Sequence, residues 1–194
     1  MPWNSIRTVR LFLAIDPGDG CRRHVAGIVE TIRANTSGVR WVREGKFHLT
    51  LSFLGEVDES RLEDISAAAV EVAGRHSPFS ASVTGAGVFP DWRRIRVVWF
   101  GLRDSGALMQ LGTDMSEMSA ALGFRQRPFR AHLTVGRTTG PLSAEQKDSL
   151  RTALAPRKEE TYPFDVTRVV LMRSTLSGGG SSYSELASFP LGGA

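Results

Sequence analysis

Two short segments hold side chains whose types and spacing could do chemistry: FHLTLSFLGE, Phe47 to Glu56, and FRAHLTVGR, Phe129 to Arg137. Side chains alternate faces along a strand, so residues two apart point the same way. In the first segment Phe47, Leu49, Leu51 and Phe53 form an apolar stripe, and His48, Thr50 and Ser52 line the opposite face. In the second, Phe129, Ala131, Leu133 and Val135 form the stripe, opposite Arg130, His132 and Thr134. One such polar face is what half of an antiparallel strand ordinarily shows to water. His-Leu-Thr occurring twice, in a chain with only four histidines, is not ordinary.

Histidine titrates near pH 6.5, so one ring of a pair can be neutral while the other is charged close to neutral pH. That supplies a general base and a general acid without a buried carboxylate. Each threonine hydroxyl, next along the same face, can donate to an anionic oxygen. Two imidazoles and two hydroxyls converging on one centre suit a phosphodiester. One histidine activates water, the other protonates the leaving oxygen, and the threonines hold the non-bridging oxygens as charge builds.

The remaining residues offer little competition. His24 falls in a helical pattern beside Arg22 and Arg23, on what should be an exposed face. His76 should end the second helix, where a cation complements the dipole. No carboxylate or cysteine accompanies either motif histidine in sequence, and the His-Glu-x-x-His spacing of a zinc hydrolase is absent. The single cysteine, Cys21, excludes an internal disulfide framework and has no evident partner as a nucleophile.

The elements that must position the two motifs are legible as a mixture. Helical spacing of apolar residues runs over Cys21 to Asn35, Glu59 to Arg75, Leu108 to Leu122 and Ser143 to Leu154. Asp58 is placed as an N-cap, and Ser143 with Gln146 as a capping box. Strand-like segments are Thr8 to Ile15, Val39 to Val42, Phe47 to Leu54, Ala81 to Phe89, Ile95 to Gly101, Phe129 to Gly136, Val166 to Thr175 and Tyr183 to Phe189. Gly178 to Ser182 reads as a hairpin tip or a loop over a ligand. Each half gives strand, helix, short strands with a histidine-bearing member, then helix. The expected fold is therefore α+β, with two pseudo-symmetric lobes in one bilobal domain over residues 1–194, each an antiparallel sheet with helices on its outer side.

Bulk composition fits a globular protein: 194 residues, 41% hydrophobic and 23% charged. No run approaches the roughly twenty apolar residues that span a bilayer. The patch Leu11 to Ile15 is too brief for a signal-peptide core, so the expected compartment is the cytoplasm. The net charge of +4 comes mostly from arginine, including Arg93, Arg94 and Arg96 and the group Arg125, Arg127 and Arg130. Arginine matches phosphate well; it also makes an ordinary solvated surface.

Over nearly its whole length the sequence resembles the two-histidine phosphoesterases, specifically the bacterial RNA 2′,3′-cyclic phosphodiesterases, also called 2′–5′ RNA ligases. RLFLAID (Arg10 to Asp16) is similar to the family's opening strand, VRWVREGKFHLTLSFLGEV (Val39 to Val57) to its first signature and RPFRAHLTVGR (Arg127 to Arg137) to its second. VFPDWRRIRVVWFGL (Val88 to Leu102) resembles the middle strand pair. VVLMRSTLSGGGSSYSELASFPL resembles the closing hairpin, with Ser174 and Tyr183 in matching places. The resemblance implies a catalytic set of His48, Thr50, His132 and Thr134 in a cleft between the lobes, with no metal and no other cofactor. It implies opening of a terminal 2′,3′-cyclic phosphate on RNA or a nucleotide to a 2′-phosphate, with reversible 2′–5′ ligation as a weaker activity. For that product the acid must protonate O3′. We assign this to His48 and water activation to His132, the near-symmetry of the site leaving the reverse open.

Around this set, Arg130 has the parity to meet the phosphate. Strict alternation puts Arg137 on the core face with Leu133 and Val135, so it reaches the phosphate only if the strand ends or bends at Gly136. Phe12 shares a face with Arg10 and Ala14 and either stacks a base or belongs to the core. Ala131 stands where the family often has proline before the second histidine. The expected partners are RNA ends or nucleotides bearing a 2′,3′-cyclic phosphate, with no membrane, and the expected state is a monomer. The competing reading is a non-catalytic module that grips RNA ends in a basic cleft.

Overall fold

A computed structural model describes residues 7–104, 106–158, 161–177 and 180–192. Four helices form where the sequence spaces apolar residues by three and four. Helix α1 (Gly18–Arg33) buries Cys21, Val25, Val29 and Ile32. Helix α2 (Leu62–Gly74) follows a 3-10 turn, Glu59–Arg61, whose entry Asp58 caps by accepting from the Ser60 amide at 2.9 Å. Helix α3 (Ala107–Ala121) is followed by Gly123, whose φ of +88° suits a residue without a side chain. Helix α4 (Ala144–Leu154) opens with the capping box read from Ser143 and Gln146, both reciprocal bonds being present.

The strands are β1 (Thr8–Ile15), β2 (Val39–Trp41), β3 (Leu49–Asp58), β4 (Phe79–Phe89), β5 (Val97–Arg103), β6 (His132–Thr138), β7 (Thr161–Val166), β8 (Arg168–Ser177) and β9 (Gly180–Pro190). They form two antiparallel sheets, a four-stranded one in the order β3-β1-β8-β9 and a five-stranded one in the order β2-β6-β5-β4-β7. This is the α+β, two-sheet arrangement expected from the sequence, with one strand more. β7 escaped notice because it is an edge strand interrupted by Pro163, which sits opposite Ser82; proline is tolerated at an edge, where one ladder is missing anyway. The β8–β9 hairpin is present, while Gly178 and Gly179 of its expected tip lie outside the described residues.

Each sheet turns one face to helices. α3 packs on β3, α2 on β8 and β9, and α1 on β7. The apolar residues between form one continuous core through both sheets, including Leu13, Phe100 and Leu133. The sheets meet where β3 packs against β6, the two strands that carry the motif threonines. Leu49 and Leu133, the middle residues of the two His-Leu-Thr runs, are each 1% exposed. Burying such a side chain contributes about 1.5–3 kcal/mol, enough to pin the flanking histidine and threonine to the opposite, helix-free face.

Candidate active site

Strand pairing decides which side chains enter the cleft between the sheets. Thr50 lies opposite Ala14, and Phe53 opposite Phe12. Ala14 and Phe12 belong to a small apolar cluster with Val170, Met172 and Tyr183, separate from the main core, so this is the helix-free face. Between these pairs β3 carries an extra residue, Leu51, with Ser52 opposite Leu13 of the core. Such a β-bulge reverses parity beyond it. Ser52, expected beside His48 and Thr50, is instead 2% exposed against α3, where its hydroxyl and that of Ser119 are hydrogen-bonded at 2.7 Å. Phe53, expected in the core, is 44% exposed on the cleft face with the Arg10 guanidinium 4.8 Å from its ring centroid.

The second motif repeats the device. His132 lies opposite Gly101 and Thr134 opposite Trp99, while Gly136 is opposite Val98 and Arg137 opposite Val97. Val135 is the extra residue, placed directly after the threonine as Leu51 is in β3. Trp99 and Val97 share a face of β5, so Arg137 returns to the face of His132 and Thr134 instead of joining Leu133 and Val135. Strict alternation was the wrong rule here; the bend needed for Arg137 is the bulge.

Both imidazoles are held in the same way. His48 Nδ1 lies 2.8 Å from the Lys46 carbonyl, and His132 Nδ1 lies 2.7 Å from the Arg130 carbonyl. A carbonyl only accepts, so each Nδ1 carries a hydrogen and each Nε2 is left to take or give a proton. Neither Nε2, and neither the Thr50 nor the Thr134 hydroxyl, has a protein partner among the described residues. Aromatic walls fix the rings. His48 lies 4.8 Å from Phe12 and 5.0 Å from Tyr183, and His132 stands edge-on to Phe89 at 5.0 Å, centroid to centroid.

Burial lowers the pKa of both histidines below 6.5, and the bonds to the Lys46 and Arg130 carbonyls oppose that shift. Positive charge on Arg137 lowers both rings further, charge on His132 lowers His48, and charge on Arg130 lowers His132. The two rings and Arg137 therefore sit within electrostatic reach of one another, although they come from different sheets.

The other expected residues fall as follows. Ser174 lies opposite Tyr183 across the β8–β9 pair, on the face of Met172 and Phe12. Phe12 is 3% exposed and packed under His48 and Tyr183, so it walls the histidine and offers no open face to a base. Arg130 is exposed with its guanidinium 5.8 Å from the Phe89 ring centroid. His24 is half-buried and stacked on Tyr162 at 4.4 Å, covering β7 rather than facing open solvent. His76, just beyond α2, pairs with Asp114 of α3 at 2.9 Å. Cys21 is buried, and burial pushes its thiol up to about 11, which leaves little thiolate for a nucleophile. Among the described residues no three His, Cys, Asp or Glu side chains gather to hold a metal ion, and no helix is long and apolar enough to cross a membrane.

Sequence reading missed Phe53, Arg10, Phe89 and Gln126. Gln126 accepts from Ser52 Oγ at 3.1 Å and donates to the Phe53 carbonyl at 3.3 Å, tying the segment before His132 to the bulged strand after His48. Phe53 was hidden by the bulge, and no sequence signal marked the others.

Known proteins are similar to this chain in sequence and in fold. Residues 15–99 match the family model of LigT-like phosphoesterases. The RNA 2′,3′-cyclic phosphodiesterase of Methanothermobacter thermautotrophicus is 35% identical over 184 residues, covering 94% of this chain and 99% of that one. The protein of the same name from Archaeoglobus fulgidus is 36% identical, covering 93% and 99%. Among solved structures, Escherichia coli LigT complexed with 3′-AMP superposes with a TM-score of 0.74 at 28% identity, covering 95% of this chain and 99% of that one. Similarity of sequence over both histidine strands and of fold over both sheets leads to one conclusion: this chain belongs to the LigT-like phosphoesterase family.

Proposed function

We propose that the protein hydrolyses a terminal 2′,3′-cyclic phosphate on RNA to a 2′-phosphate by acid–base catalysis between His48 and His132. The observation that carries this reading is the pair of imidazoles with matched Nδ1–H···O=C anchors, each presenting an Nε2 that has no partner among the described residues. The relatives' shared name, RNA 2′,3′-cyclic phosphodiesterase, points to the same substrate class.

In this mechanism water attacks phosphorus in line with O3′. His132, the less enclosed ring, takes the water proton at Nε2. His48, between Phe12 and Tyr183, donates its Nε2 proton to O3′ as the P–O3′ bond breaks. The charges balance: one proton enters His132, one leaves His48, and exchange with solvent resets the pair. Thr50, Thr134 and Arg137 donate to the non-bridging oxygens, whose charge grows in the transition state. Burial leaves both free rings mainly neutral, and an anionic phosphate between them raises both pKa values, so substrate itself recruits the catalytic proton. With a 5′-hydroxyl in place of water, the same geometry opens the cyclic phosphate to a 2′–5′ phosphodiester, His132 taking the hydroxyl proton and O3′ leaving with the proton of His48. Run backward, that step cleaves the linkage, which accommodates reversible 2′–5′ ligation.

Phosphorus NMR of the product from a cyclic-phosphate oligonucleotide tests the reading. A 2′-phosphate is expected. A 3′-phosphate would mean that O2′ is the protonated leaving group, and no turnover with tight RNA binding would favour the non-catalytic module.

A further inference from the structure

A cavity of about 430 Å³ opens beyond the end of β6, lined by Arg93, Arg94, Arg96 and Arg137 together with Lys147 of α4. Five cationic side chains line it and no carboxylate does. Elsewhere Arg22, Arg33, Arg75, Arg151 and Arg168 each pair with a carboxylate. Among the described residues none of the four pocket arginines does. Like charges gathered without counterions repel, and that cost is relieved when an anion enters.

The backbone that presents these arginines is fixed from several sides. Asp91 Oδ1 accepts from the Arg93 and Arg94 amides at 2.8 and 3.0 Å, so the closest carboxylate along this loop is engaged by backbone. Lys147 Nζ donates to the Arg93 carbonyl at 2.9 Å, and the Thr138 amide donates to the Arg96 carbonyl at 3.1 Å. The guanidinium groups thus stand on a preformed turn.

Arg137 lines this pocket and also acts on both site histidines. Arg137 is the near wall of the pocket; from Gly101, opposite His132, to Arg96 on its far side is five residues along β5 and its approach, about 17 Å at 3.3 Å per residue. A mononucleotide does not bridge that distance; a strand of several nucleotides does. A 2′,3′-cyclic phosphate is by chemistry the 3′ end of its strand, so every other phosphate lies on its 5′ side. We infer that the arginine pocket binds backbone phosphates of the RNA on the 5′ side of the cyclic end, making an oligonucleotide the preferred substrate. This inference rests on the phosphodiesterase reading above and extends it.

The test compares a 2′,3′-cyclic mononucleotide with an RNA hexamer ending in a 2′,3′-cyclic phosphate, using wild type and the triple variant Arg93→Gln/Arg94→Gln/Arg96→Gln. For the hexamer we expect the triple variant to raise KM about tenfold with kcat retained, and to lower the slope of log affinity against log salt by about 2. Mononucleotide turnover should be unchanged. Hexamer kinetics and salt slope identical in both proteins would overturn the inference, as would tighter binding of free pyrophosphate than of the hexamer. Fluorescence anisotropy with a labelled hexamer reads the pocket without turnover: hexamer affinity lost in the variant while wild type hydrolyses neither substrate would sink the phosphodiesterase reading and support the pocket.

Discussion

Gln126 Nε2 donates to the Phe53 carbonyl at 3.3 Å, bridging the two histidine segments across the junction of the sheets. Its Oε1 accepts from Ser52, which in turn bonds Ser119 of α3. This polar chain, buried at Ser52 and Ser119 and half-buried at Gln126, grips β3 at its bulge and the approach to β6 at once. Replacing Gln126 with leucine removes both bonds and leaves the Phe53 carbonyl and one Ser52 contact unmet, a loss of about 1–2 kcal/mol. We expect Gln126→Leu to lower Tm by a few degrees and to reduce kcat more than it raises KM, because the relative placement of the two rings loosens. Thermal melts and steady-state kinetics on one preparation check this.

The threonines separate positioning from proton transfer. Thr50→Val and Thr134→Val keep shape and remove one donor to a non-bridging oxygen. Loss of one such donor costs about 10²–10³-fold in kcat elsewhere. Each variant should fold with Tm near wild type, since neither hydroxyl has a protein partner among the described residues. Unchanged kcat in both would remove the threonines from the site.

The pH dependence has a definite sign. Burial places both free-enzyme histidine pKa values below 6.5, and the active form holds one proton between two rings. kcat/KM should therefore follow a bell whose maximum lies on the acid side of pH 6.5. The kcat profile should shift to higher pH, because bound phosphate favours the protonated rings. The same lowering links to stability: the unfolded chain binds protons more tightly, so each histidine destabilises the fold as pH drops below about 6.5 and adds nothing above it. Rate profiles and melts between pH 4.5 and 8.5, a span of about two units either side of the unperturbed histidine value, read both effects.

Much of the site was legible because its signal is local. Type and spacing in His48-Leu49-Thr50 and His132-Leu133-Thr134 were enough to place four side chains on apolar-backed strands, and Ser143 with Gln146 announced the start of α4. Parity was legible only as far as each threonine. Whether β3 takes an extra residue at Leu51 is settled by its partner, since Leu13 and Ala14 of β1 span three residues of β3, from Thr50 to Ser52. Val135 is the same case against Val98 and Trp99. A bulge is a property of two paired strands, so Phe53 and Arg137 could be assigned to the cleft only once the pairing was known. Gln126 belongs to the same class, its partners lying more than seventy residues away.

The central claim is that two rings from different sheets act on one phosphorus atom. It is tested most directly by the kcat/KM of His48→Ala, His132→Ala and the double variant on a cyclic-phosphate RNA, with RNA affinity measured alongside. Each single change should cost about 10²–10⁴-fold, the double change scarcely more than the larger single one, and affinity should be largely kept. Either single variant turning over at the wild-type rate would contradict it.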